Sequence, residues 1–523
     1  MRRKLVLILV DSLRTDMLQR TVASGTAPTL ARLLDRGELV ADCVSSFPSV
    51  TPVCTAEIVT GARPDTHRIP GMNWYHRAER RYVEYGSSWE ATRTFGLFSA
   101  LYDTVYNMNM AHLSPEVRTL YEHFGDAGIR SACTPFLMYR GRTRHELGLE
   151  GLLGAVAQAA RFHHAVWGPD ELFYGELYAS RKVPCKPTLA RPDVRDDYSA
   201  CAGAELVGRD LYDFLLFSLP DNDHYSHRHG PEESEISITH ADGCIAELMA
   251  PAGGVDDFLE ENAVILMADH SQSEVDHEVD LAAHLEEHWH VLRPNEDSPE
   301  DSELAVGPSS RAAGVWILRD AARGRKLHEA GRAMLAEHPA VDLLCWLERD
   351  GDPVVRTRVA VPQGDRAVIE GEGGAALRFA PAVGGHRAGH LVTDRRGRGW
   401  RVEGELEALG AVRSGTELGT GRYPDALARV WAALHSPYAS DLIVSATPGY
   451  EFVDWGGTSH VPGGSHGSLH ECDSLAPLLT VGLDRELPAR EQWAISDVAA
   501  LALAHFGLAP DDAAATARAR AVP

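Results

Sequence analysis

No stretch of the 523-residue chain approaches the ~20 consecutive apolar residues that a bilayer span requires, so no membrane partner is expected. The start, MRRKLVLILVDSLRTD, imitates a signal peptide, but its apolar run stops after Leu5–Val10. It ends on Asp11 with no small-residue cleavage site, which excludes an h-region of ordinary length. The expectation is a buried strand in a cytoplasmic protein. Basic tracts are absent too. With a formal charge of −25, binding to a nucleic-acid polymer is not expected. None of the eight cysteines forms a CxxC pair, and their scatter reads as reduced, mostly buried thiols.

What the chain does have is histidine, 25 in all, several of them clustered beside aspartates. Hydrophobic content of 44% against 24% charged residues fits a soluble globular protein with a large core. An acidic shell repels anions, so an anionic substrate would need local positive charge, which bound metal cations supply.

Three short apolar runs end in polar residues. They are Leu5–Val10 before Asp11, Phe214–Leu219 before PDNDH, and Ala263–Ala268 before Asp269 and His270. Near-continuous apolar runs suit strands covered on both faces. Helices are predicted around Pro52–Thr60, Val117–Ala127 and Ser237–Met249. The alternation predicts an α/β fold with a mostly parallel central sheet and helices on both faces. Ligands of such sheets bind beyond the carboxyl ends of the strands, where all three polar clusters would fall. Between residues 321 and 423 the texture changes to a helix and then short Gly-broken strands. This predicts a small α+β insertion in a catalytic domain made of residues 1–320 and 424–523. The Ala/Arg-rich tail is expected to fray.

Asp11 on its own reads first as the cap of the next helix, with a metal or catalytic role as the alternative. In LPDNDHYSHRHGP, Asp223 and His227 stand four apart and can share one cation, with Asp221 as a rival carboxylate. Asp269–His270 is a second carboxylate–imidazole pair, and GGSHGSLH sets His466 among small residues that allow close backbone approach. Three Asp and three His at one sheet edge suit zinc, or manganese as a harder alternative. They are about the number that two cations roughly 4 Å apart would need. Thr51, followed by Pro52 and with Gly61 at the far end, is predicted as the N-cap of its helix. Its hydroxyl is also a candidate nucleophile; Ser49 and Thr55 are rivals without the cap position.

The ordered motifs ILVDSLRTD, FPSVTP with VTGARPDTHRI, PDNDHYSHRHGP, MADHS and GGSHGS resemble the nucleotide pyrophosphatase/phosphodiesterase (type I phosphodiesterase) branch of the alkaline phosphatase superfamily. The resemblance implies a two-metal hydrolase of small phosphodiesters or pyrophosphates. Asp11, Asp269 and His270 would hold one divalent cation with Thr51 bridging toward it. Asp223, His227 and His466 would hold the second. Thr51 would attack phosphorus, and water would release the phospho-threonine. Asn73 would donate its amide to a phosphoryl oxygen. Phosphomonoesters or phosphonates are alternative substrates on the same frame, and a metal-stabilised binding protein is the non-enzymatic alternative.

Overall fold

The computed structural model describes residues 3–148, 164–174, 177–185, 195–356, 359, 365–384, 388–484 and 488–510. The tail expected to fray, residues 511–523, lies outside them.

The strand Lys4–Val10 is the axis of the fold. Its side chains alternate between two cores: Leu5, Leu7 and Leu9 enter one, Val6, Ile8 and Val10 the other. Each fully buried Val or Leu contributes about 2 kcal/mol of transfer free energy, so this strand has a strong preference for a two-faced position. The first core also takes Val53 and Ile58 of helix Thr51–Thr60, Leu120 and Phe124 of helix Leu120–Asp126, and Val498 and Ala502 of helix Asp497–His505. The second takes Leu18, Leu30, Leu206 and Ile245 from helices Thr15–Ser24, Pro28–Arg36, Arg195–Gly208 and Glu235–Met249. Helices therefore cover both faces, as the alternating pattern predicts.

The eight-stranded sheet runs, from edge to edge, Glu38–Val44, Leu475–Val481, Asn262–Met267, Lys4–Val10, Phe214–Leu219, Ser131–Cys133, Glu171–Tyr174 and Tyr178–Ala179. Lys4–Val10 pairs in parallel with Phe214–Leu219 on one side and Asn262–Met267 on the other. Val10 faces Leu219, and Leu9 faces Met267. That register delivers Asp11, the 221–223 segment and Asp269 to the same carboxyl edge.

A second sheet, antiparallel apart from one short pairing, holds eleven strands. Its strands include Leu304–Ser309, Ala312–Ile317, Val341–Arg349, Ala376–Pro381 and Leu442–Ala446. It therefore extends beyond both ends of the 321–423 insertion. A third, three-stranded sheet joins Ser273–Val279 to Gly449–Phe452 and Gly463–Ser465. It ties the loop after His270 to the loop before His466.

The expectation of reduced cysteines needs one correction. Cys185 and Cys201 form a disulfide, while the other six cysteines are free. The loop carrying Cys185 folds back onto helix Arg195–Gly208, a tertiary contact that Cys spacing does not reveal. No helix among the described residues is long and apolar enough to cross a membrane.

Candidate metal centre

Thr51 is the first residue of helix Thr51–Thr60, with Val50 in the capping position and Pro52 next. Its side chain makes no capping hydrogen bond, which corrects the expected N-cap. The hydroxyl turns instead to the sheet edge, 3.3 Å from Nε2 of His270. Gly61 ends the helix in the left-handed region at φ 67°, donating to Glu57 O.

Around that imidazole nitrogen three groups converge. Nε2 of His270 lies 3.4 Å from Asp269 Oδ2 and 3.9 Å from Asp11 Oδ1. Both carboxylate oxygens are buried and have no hydrogen-bond partner. Buried, orphaned anionic oxygens are costly unless a cation is available to them. Burial pushes the Asp11 carboxyl well above the usual range, and the charges of Asp269 and Asp223 push it the same way. The donor set fits a divalent cation.

The second group adjoins the first. Oδ1 of Asp223 lies 3.4 Å from Nε2 of His227 and 3.6 Å from Nε2 of His466. One ligand atom from each of the three falls within 4.8 Å of the others, and the same holds for Asp11, Asp223 and His270. The rings of His270 and His466 stack at 3.9 Å. Nδ1 of His227 donates to Gly464 O at 2.7 Å, and Nδ1 of His466 to Ser49 O at 2.8 Å. Both Nε2 atoms are thereby left as acceptors, the tautomer that a metal requires. Burial lowers His227 to about 4 against the pull of Asp223, and burial with His270 holds His466 well below its ordinary value. Asp223 is held low: burial opposes its ionisation, but His227, His466 and His270 outweigh it.

Glycine makes the second group possible. A Cβ on Gly463 would stand 2.2 Å from His227 O, and one on Gly464 would stand 2.6 Å from Ser226 O. Only bare backbone lets the strand Gly463–Ser465 lie against helix Asp221–His229.

Asp221 stays out of both groups. Its carboxylate accepts from Arg195 Nε and from the Asp196 amide, each at 2.9 Å. Asn73 stands at the start of strand Asn73–His76, buried, with its amide donated to Pro308 O. Among the described residues no hydrogen bond joins Asn73 to Thr51 or to any of the six Asp and His side chains.

Four neighbours of the centre escaped the sequence reading. Ser12, left-handed at φ 58°, donates to Asp223 Oδ1 at 2.7 Å and lies 3.2 Å from Nδ1 of His270. Gln272 donates to Asp223 Oδ1 at 2.5 Å. His460 stacks on His227 at 3.8 Å and is gripped by Glu451, with 2.6 Å from Nδ1 to Oε1. Burial alone would lower His460, but the hydrogen bond to Glu451 raises it. Ser12 and Gln272 sit within two residues of Asp11 and His270, the one signal that could have found them. A cleft of about 400 Å³ is lined by Gln272 together with Arg14, Glu232, Glu274 and Glu471. It contains none of the seven converging residues.

The family model described as type I phosphodiesterase / nucleotide pyrophosphatase matches residues 5–332, more than half of the chain. The chain belongs to this family. A phosphodiesterase-family member of this kind is a phosphoric ester hydrolase, and the resemblance read in the motifs holds. Solved structures agree in fold. Murine ectonucleotide pyrophosphatase/phosphodiesterase 5, an inactive threonine-to-alanine variant in complex with AMP, is 12% identical at a TM-score of 0.55, covering 97% of this chain and 96% of that one. The human protein of the same name is 12% identical at 0.55, covering 97% and 95%. Phosphonoacetate hydrolase from Sinorhizobium meliloti, in complex with phosphonoformate, is 16% identical at 0.51, covering 97% and 95%. No curated protein sequence matches the chain significantly.

Proposed function

We propose that this phosphodiesterase-family chain hydrolyses small phosphodiesters or pyrophosphates with Thr51 as the nucleophile. Asp11, Asp269 and His270, with Thr51, would hold one divalent cation, and Asp223, His227 and His466 a second; zinc suits this Asp/His set best, with manganese next. Such cations supply Lewis acidity and neutralise phosphoryl charge.

The chain's own residues do the rest. Thr51 presents its oxygen at the head of a helix whose next eight residues, Pro52–Val59, are all buried, so the attacking atom has little freedom. The Thr51 Oγ–P bond forms, the bond from phosphorus to the leaving oxygen breaks, and the leaving group takes up a proton. Water then attacks the phospho-threonine and the threonine recovers its hydroxyl. The observation that carries the reading is the 3.3 Å approach of the Thr51 hydroxyl to His270 Nε2, in place of a capping bond. The inactive threonine-to-alanine relative in complex with AMP supports it. Asn73 enters as a phosphoryl-oxygen donor only if its amide leaves Pro308 when substrate binds.

Diesters are favoured over monoesters by charge. Among the described residues no Lys or Arg pairs with the six Asp and His side chains, and Arg63 is engaged by Asp425 at 2.5 Å. A dianionic monoester would lack its clamp. Phosphonate hydrolysis is the second reading, favoured by the likeness to phosphonoacetate hydrolase. The catalytic domain of residues 1–320 and 424–523, with 321–423 inserted, remains our division of the chain; the antiparallel sheet is shared across it. The Cys185–Cys201 disulfide fits an oxidising compartment better than the cytoplasm first expected.

The test is turnover by the zinc- or manganese-loaded protein of bis(p-nitrophenyl) phosphate, p-nitrophenyl phosphate and phosphonoacetate. Preference for the diester supports the reading. Preference for phosphonoacetate moves it to the second, and two bound metals without turnover of any would leave a binding protein.

A further inference from the structure

Outside the catalytic edge, a second kind of ligand cluster bridges two helices of the opposite core. Asp197 lies on helix Arg195–Gly208, and His240 and Cys244 lie one turn apart on helix Glu235–Met249. Nε2 of His240 is 3.2 Å from Asp197 Oδ1 and 3.7 Å from Cys244 Sγ. All three ligand atoms fall within 4.8 Å of one another. One ring nitrogen thus faces both a carboxylate and a thiol, two further groups that can ligate a metal. A single cation would satisfy all three at once.

The spacings match that answer. Around a tetrahedral zinc with bonds of about 2.0–2.3 Å, nitrogen and oxygen ligands stand about 3.4 Å apart, and nitrogen and sulfur about 3.5 Å. The His240–Asp197 and His240–Cys244 spacings lie within a few tenths of an ångström of those values. Cys244 is buried while Asp197 and His240 reach solvent, so the soft ligand closes the inner side and a water can complete the outer side. Burial, with the charges of Asp196 and Asp197, pushes the Cys244 thiol up, so it keeps its proton until a cation displaces it.

We infer that Asp197, His240 and Cys244 form a third, zinc-type site, structural rather than catalytic. Its position gives it a purpose. The same two helices steady the catalytic edge: Arg195 and the Asp196 amide hold Asp221, while Ser237 donates to Asn222 Oδ1 at 2.8 Å. Asn222 in turn donates to the carbonyl of Asp11 at 2.7 Å. A cation at the cluster would clip together the two helices that brace Asp221 and Asn222, the residues just before Asp223.

Cobalt substitution tests this without reference to turnover, because neither catalytic group contains a cysteine. The full-length protein loaded with Co²⁺ should show thiolate-to-cobalt charge-transfer absorption, which His240→Ala should abolish. His240 is half exposed, so this variant should fold. Zinc content should fall by one equivalent in the same variant, and zinc should slow thiol modification of Cys244 only in the wild type. Absence of the cobalt–thiolate band from the wild type, or its survival in His240→Ala, overturns the site. Loss of the catalytic pair alone would change the zinc count and leave the band intact.

Discussion

The hydroxyl of Thr51 stands 3.3 Å from Nε2 of His270, the nitrogen that also faces Asp11 and Asp269. Removing that hydroxyl should remove the chemistry and leave the centre. We expect Thr51→Ala to lower kcat by about 10³-fold or more, since a lost nucleophile takes the covalent route with it. Thr51→Ser should keep measurable turnover. Metal content by mass spectrometry should be unchanged in both. A Thr51→Ala enzyme with near-normal kcat would return the residue to a structural role.

Ser12 links the two groups, touching Asp223 at 2.7 Å and His270 at 3.2 Å. Ser12→Ala should weaken metal affinity about 10–100-fold, the usual cost of losing a group that orients ligands. Titration of the metal-stripped variant against wild type measures this directly. Equal affinities would mean that Asp223 and His270 are oriented without it.

Gly464 has no room for a methyl group: a Cβ would stand 2.5 Å from Gln272 Oε1 and 2.6 Å from Ser226 O. Gly464→Ala should therefore cost about 1–3 kcal/mol, as overpacking does, and push His466 out of reach of Asp223. Chemical denaturation should report the first effect and a drop in bound metal the second.

His328 supplies a pH test away from the metals. It is buried against Trp346, and burial depresses it to about 4, with Asp441 pulling upward and Arg332 downward. The unfolded chain binds its proton near pH 6.5 and the folded chain does not, so this group's contribution falls as pH drops from about 6.5 to about 4. The slope is up to about 1.4 kcal/mol per pH unit. His328→Leu removes that term. The melting temperature of the variant relative to wild type should rise as pH is lowered from 7 to 5. A difference that does not change with pH would show that the folded and unfolded chains bind this proton alike.

Much of this was legible in the order of residues along the chain. The strand Phe214–Leu219 has the residues predicted, Lys4–Val10 starts one residue earlier than predicted, and Asn262–Met267 is shifted by one residue at each end. Runs buried on both faces declare themselves, and each is followed within four residues by a candidate aspartate ligand. Helix Thr51–Thr60 was visible, but its capping residue was not. Ser, Thr and Asp are favoured caps by composition, and only tertiary contact with His270 shows why this hydroxyl faces elsewhere. Ser12, Gln272 and the Glu451–His460 pair were missed because their partners lie 9 to 260 residues away. The reach of the antiparallel sheet past residues 321 and 423 was hidden for the same reason. Strand Leu442–Ala446 pairs with Val341–Arg349 across about a hundred residues of sequence.

The central claim is that side chains from four separate segments hold two cations beside one threonine. Anomalous X-ray scattering from crystals of the zinc-loaded protein tests it most directly. Two strong peaks are predicted at the carboxyl edge of the eight-stranded sheet, one within bonding distance of Asp11, Asp269 and His270, the other of Asp223, His227 and His466. A single peak there, or cations that leave His466 or Asp11 uncoordinated, would contradict it.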